Sequence, residues 1–309
     1  AEPLCERVFG TMVSQVESTA DSGWRLWEKK GGDLGQYDWL VVTSTGLAHP
    51  RWRSTFGGEP PLVAAAARLG DPALDATLSS LAPLGSKPVT ACLLAYEGEA
   101  AAAWAAVPFY KTIVEGDEVL SRVVVQRGVP GRRTRTPVQH TARVAAGSPA
   151  PCPAYLPPTR PASAPPGAVS PALVSVVLHS THGFARGAAH VYGKTSTAAR
   201  LAGAPSDAEA EAALLEQLLA AAERRLGGLV GAAHLRSPAW GPHLHRWGAA
   251  FPDAPLLPVE LAVVPSARVA FSGDFVAGER AGSVEGAALS GMRTASALKQ
   301  ALGLATCAS

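Results

Sequence analysis

Apolar and polar positions first alternate at short range, which predicts two strand candidates, Val8 to Val16 and Trp24 to Trp27, joined by the turn former Asp21-Ser22-Gly23. After Gly31-Gly32, the run Tyr37 to Ser44 is apolar and β-branched between turn residues, the pattern of a strand buried on both faces in a parallel sheet. Leu74, Leu78 and Leu81 recur at helical spacing behind Asp71-Pro72, so a helix is expected from there toward Leu84, with Asp71 as its cap. Three further apolar runs, Val89 to Tyr96, Val119 to Gln126 and Leu173 to His179, predict strands of one antiparallel or mixed sheet.

Helical spacing returns with Ala213, Leu214, Leu218, Ala221 and Leu226. Ser206-Asp207-Ala208-Glu209 reads as a capping box at the start of this helix and Gly227-Gly228 as its closure. Between Pro130 and Pro171 the periodicity disappears. Proline-rich sequence such as PAPCPAYLPPTRPASAPPGA lacks the backbone donors of a sheet or helix and reads as a surface insertion. From Ala267 to Leu302 the order is strand, glycine-interrupted loop, helix. Ser283 is the expected cap, and Val284, Ala287, Ala288, Met292, Ala295 and Leu298 form the expected apolar face. Small residues at the start of that helix admit a second backbone or a flat ligand, and its amino terminus offers an anion site.

The 309 residues are 47% hydrophobic, enough for one large domain or two ordinary ones. Lys and Arg number 27 against 25 Asp and Glu, so the net charge of +2 provides no broad field for nucleic acid or anionic lipid. The dense basic group Arg132, Arg133 and Arg135 reads as a solvated loop. No apolar run is long enough to span a bilayer. The four cysteines, Cys5, Cys92, Cys152 and Cys307, are isolated from one another in sequence, which points away from a zinc site or disulfide scaffold and toward an intracellular, reducing compartment. Chloroplast and cytosol suit this equally.

His179, His182, His190, His243 and His245 cluster without a nearby carboxylate or cysteine at ligand spacing, so no metal site is expected. No Gly-x-Ser-x-Gly nucleophile turn occurs, which argues against a serine hydrolase.

The string Gly273-Asp274-Phe275, followed by a loop and then GSVEGAALSG, resembles the carboxy-terminal flavin motif of the amine oxidase and renalase group. The stretch PHLHRWGAAFP resembles the His-Arg-Trp segment preceding that motif in renalase-like proteins. His245, Arg246 and Trp247 match it, and Gly248 and Ala249 depart from it. The resemblance implies an α/β (α+β mixed) fold: an incomplete FAD-binding, Rossmann-like domain, residues 1–50 and 253–309, and a mixed-sheet substrate domain, residues 51–252, with an insertion at about 131–171.

It further implies that Asp274 makes a polar contact to FAD, that Gly273 and Phe275 shape its turn, and that Gly282, Ser283, Val284, Glu285, Gly286 and Ala287 lie near the ring. His245, Arg246 and Trp247 would face the substrate. The implied activity is oxidation of a small amine or dihydronicotinamide-type substrate by hydride transfer to flavin. The dinucleotide fingerprint G-x-G-x-x-G is absent from the sequence, so the chain reads as amino-terminally truncated and is expected to bind FAD weakly or not at all. The alternative is a cofactor-free scaffold that retains the fold.

Overall fold

The computed structural model describes residues 6–127, 141–144, 173–193 and 207–304. The chain first forms β1 (Val13–Ser18), β2 (Trp24–Glu28), β3 (Asp33–Tyr37) and β4 (Leu40–Val42), then α1 (Arg51–Phe56), α2 (Pro61–Leu69) and α3 (Pro72–Leu81). Next come β5 (Gly85–Tyr96), α4 (Gly98–Ala106), β6 (Lys111–Val114), β7 (Leu120–Arg127), β8 (Thr141–Val144) and β9 (Val174–Ser180). The remainder is α5 (His182–Gly187), α6 (Ala208–Val230), α7 (Ala232–Leu235), β10 (Trp240–Asp253), β11 (Val263–Val264), β12 (Val269–Phe271) and α8 (Val284–Ala301). Among the described residues the fold is mixed α/β, with three sheets.

It packs as two units, residues 1–87 with 249–309, and residues 88–248. The chain passes from one to the other within β5 and again within β10. Residues 51–87, assigned from sequence to the substrate domain, belong to the first unit. The reason is packing: Leu62, Ala65 and Ala66 of α2 and Leu74, Leu78 and Leu81 of α3 share one buried cluster with Val42, Val269 and Phe271.

The first unit contains the antiparallel meander β1-β2-β3 and the small sheet β11-β12-β4, in which β12 and β4 run parallel. Ser22 turns β1 into β2 with a positive φ of 61°, and α3 begins where the Asp71 side chain accepts from the amides of Ala73 and Leu74. Tyr37 to Ser44 does not form one strand. It divides into β3 and β4, and Val41 is 41% exposed, so β4 is buried on one face only.

The second unit is built on the sheet β10-β5-β9-β7-β6-β8, which is mixed because β8 lies parallel to β6. Residues Val174, Val176 and Leu178 alternate into the core with Val123, Val125, Cys92, Leu94 and Tyr96, where α4 and α6 contribute Trp104, Leu218 and Leu226. The helix α6 is capped by Asp207, whose carboxylate accepts from Glu209 and Ala210 amides at 3.0 Å; Ser206 lies outside the described residues. Nor does it stop at Gly227-Gly228. Leu226 and Val230 continue its buried face through the glycines, and Gly231, at φ 88°, ends it. Most of the proline-rich segment lies outside the described residues. The exception, β8, is a strand where none was expected.

Candidate functional site

In open sheets with parallel strands, ligands gather beyond the carboxyl ends of those strands. β4 and β12 pair in parallel from Leu40↔Val269 to Val42↔Phe271, so Ser272, Gly273 and Asp274 leave the sheet at such an end. The Ser272 amide donates to the Val42 carbonyl at 3.0 Å. The next amide, of Gly273, donates to Ser290 Oγ at 3.2 Å, which ties the strand exit to the second turn of α8. One turn further on, Thr294 Oγ1 donates to the Phe271 carbonyl at 3.4 Å.

These hydroxyls select the face of α8 that is buried. Ser290 and Thr294 are each 5% exposed, whereas Val284 is 90% and Met292 68% exposed. The helix therefore does not turn the stripe from Val284 to Leu298 inward as a whole. Two hydroxyls paired to strand backbone, with small neighbours beside them, decide its orientation.

Gly273 is required by close approach, because a Cβ there would stand 2.6 Å from the Phe275 ring, and Phe275 is buried in the core. The loop closes where the Gly282 amide donates to the Asp274 carbonyl at 2.8 Å, with Gly282 in the left-handed region at φ 78°. Ser283 caps α8: its Oγ accepts from the Gly286 amide at 3.0 Å and donates to the Arg280 carbonyl at 2.6 Å. A Cβ on Gly286 would overlap that same Arg280 carbonyl, so a backbone occupies the close approach that the sequence left open to backbone or ligand. Glu285 pairs with Arg280 at 2.6 Å on the exposed side, and Ala287 is half-buried in the first turn. Burial pushes the Asp274 carboxyl above the ordinary carboxylate value, opposed only by its own backbone amide.

The substrate-side candidates belong to the second unit. Along β10, His245 and Trp247 fall on one face with ring centroids 4.4 Å apart, while Arg246 alternates to the other and lays its guanidinium 4.8 Å from the Tyr192 ring. Burial, then His243, lowers the basicity of His245. The His-Arg-Trp string is thus split across two faces, and the Gly273–Ala287 group and the 245–247 group sit in different units.

Sequence spacing gave no sign that His179 faces Arg122. The pairing Arg122↔His179 of β7 and β9 puts them side by side, on strand positions opposite in parity to the core residues Val123 and Leu178. Burial, then the positive charges of Arg122 and Lys111, holds the His179 imidazole down at about 4. A folded value below the unfolded one favours the neutral ring. The resulting stability is complete above about pH 6.5 and is lost as pH falls toward 4, about 3 kcal/mol in all. Urea unfolding at pH 7 and pH 4 should show a drop in wild type larger by that amount than in His179→Gln. His182 turns Nδ1 to the Pro88 carbonyl at 2.9 Å, and among the described residues no three His, Cys, Asp or Glu side chains converge as a metal site.

No family model matches the sequence, and no curated protein matches it. Solved structures similar to this chain include a putrescine oxidase bound to putrescine, at 13% identity with a TM-score of 0.45, covering 94% of this chain and 48% of that one. Another is the cyclohexylamine oxidase from Brevibacterium oxydans, at 14% identity with a TM-score of 0.45, over the same shares. The chain spans about half the length of these similar structures.

Proposed function

We propose that this chain supplies the carboxy-terminal flavin contacts and the substrate sheet of an FAD-dependent oxidoreductase of the amine oxidase type, acting on a small amine or dihydronicotinamide. The observation that carries the reading is the strand exit Gly273-Asp274-Phe275 at the carboxyl end of a parallel pair, leading through a closed loop to the Ser283-capped helix.

Asp274 fits a polyol contact. Its carboxyl is half-buried and, apart from its own amide, lacks a hydrogen-bond donor among the described residues, so hydroxyl donors of a ribityl chain would satisfy it. Ser283 to Ala287 would present the first turn of α8 to the ring system, with the helix dipole favouring negative charge there. When bound, the flavin supplies the two-electron acceptor. The chain's own residues orient and hold: Gly273 and Phe275 fix the direction in which Asp274 leaves the strand, and Ser283 fixes the turn that follows. His245, Arg246 and Trp247 are proposed on the substrate side.

The test is the visible spectrum of the protein expressed with whatever coding sequence precedes Ala1. Flavin absorption that bleaches on adding an amine or a dihydronicotinamide supports the oxidoreductase. A folded protein that stays colourless after FAD is added supports the cofactor-free scaffold, to which the Gly248 and Ala249 departure also points.

A further inference from the structure

We propose that Arg51, with the hydroxyls of Thr45 and Ser86, forms a binding site for a phosphoryl group in the first unit, on the segment that follows the carboxyl end of β4. The site is independent of the flavin reading.

The chain leaves β4 at Val42 and runs through the exposed residues Thr43, Ser44 and Gly46 to His49 and Arg51. His49 is buried and holds Arg51 in place. Its Nδ1 accepts from the Arg51 amide at 3.1 Å and from Arg51 Nε at 3.2 Å, so its proton sits on Nε2, which donates to the Leu84 carbonyl at 2.9 Å. The imidazole is therefore neutral. Arg51 Nη1 donates to Ser86 Oγ, and Nη2 donates to Thr45 Oγ1 at 3.4 Å.

This arrangement leaves donors over. Each Nη of a guanidinium carries a pair of N–H groups, and only one of each pair is engaged here. The Ser86 and Thr45 hydroxyls accept from Arg51, and neither donates to another group among the described residues. N–H and O–H donors thus border one cation. Neighbouring cations are paired, Arg53 with Glu59 at 2.5 Å and Lys87 with Asp253 at 3.2 Å. Arg51 instead meets only neutral acceptors, and Glu2 is the one side-chain carboxylate of the sequence outside the described residues.

Burial disfavours the Arg51 charge and lowers its basicity. A half-buried cation without an anion costs stability, and a bound anion relieves that cost. A tetrahedral phosphoryl group offers oxygens to the guanidinium fork and to both hydroxyls at once, whereas the fork alone satisfies a planar carboxylate. Arg51, Thr45 and Ser86 are each partly exposed, so an ion can reach them.

Calorimetric titration of the full chain with inorganic phosphate and with acetate, at one ionic strength, tests the site. Phosphate is expected to saturate and to bind about tenfold or more tightly than acetate. Arg51→Gln should weaken phosphate by about tenfold or more, Arg51→Lys should retain part of the affinity, and Ser86→Ala should weaken it about threefold to tenfold. Arg53→Gln, which removes an exposed, paired charge, should leave affinity unchanged. Phosphate should also raise the urea midpoint of wild type and not that of Arg51→Gln, a shift that a purely structural arginine would not produce. Circular dichroism checks folding, and Ser86→Ala carries the test if Arg51→Gln does not fold. Displacement of phosphate by FAD but not by riboflavin assigns the group to a dinucleotide; displacement by neither assigns it to a free phosphorylated molecule, and the site stands in both cases. Absence of saturable phosphate binding, equal binding of acetate, displacement by riboflavin, or an Arg53→Gln effect as large as that of Arg51→Gln would overturn the site.

Discussion

Gly286→Ala lowers the stability of the first unit by about 2 kcal/mol, although glycine to alanine inside a helix ordinarily stabilises by about 1 kcal/mol. The sign reverses because the new Cβ meets main chain, not a flexible side chain: the Arg280 carbonyl lies inside contact distance and the Ala281 nitrogen at 3.0 Å. To make room the loop must retreat from α8. That strains the Ser283 cap, whose loss costs about 1 kcal/mol, and the Gly282–Asp274 closure. Gly291→Ala is the control. Its Cβ would find only Ser272 Oγ at 3.7 Å, an ordinary contact, so it should stabilise by a few tenths to about 1 kcal/mol. Thermal unfolding of both variants checks the pair; if Gly286→Ala also raises the melting temperature, the loop does not cross the helix as described.

Trp24→Ala has the larger effect, a loss of about 4 kcal/mol in urea unfolding. The indole is 1% exposed within the core of the first unit, and its Nε1 donates to the carbonyls of Ala267 at 3.0 Å and Arg268 at 3.2 Å. The Arg268 carbonyl also accepts from the Leu40 amide at 3.0 Å, and Arg268 holds a φ of 51°. One side chain of the meander thus helps set where β12 starts beside β4. Trp24→Phe, which keeps most of the volume and removes the donor, should cost about 2 kcal/mol. Equal losses in the two variants would mean that packing alone matters there.

Features with a local cause were legible in the sequence. Asp71 and Ser283 cap their helices because the amides they satisfy are two or three residues away. The runs that became β5, β7 and β9 were recognisable because β-branched residues alternate between turn formers. The Gly-Asp-Phe string marked the strand exit, since a glycine two residues before a buried aromatic ring answers a short-range clash.

Where the competing partner is distant in sequence, the structure departs from the local pattern. The polar face of α8 was chosen by Phe271 and Gly273 backbone, which pairs with Ser290 and Thr294 and leaves Val284 outside. β4 looked buried on both faces until the packing left Val41 open, and residues 51–87 changed unit because α2 and α3 share the core of β4 and β12.

The starts of α3 and α8, the runs of β5, β7 and β9, and the place of the strand–loop–helix with Asp274 are legible in the sequence, because each follows from interactions within a few residues. Which face each element buries, and the meeting of Lys111, Arg122 and His179 across three strands, come from long-range packing. Register and packing are set by contacts between residues far apart in the chain, and one residue of slippage moves a side chain to the opposite face.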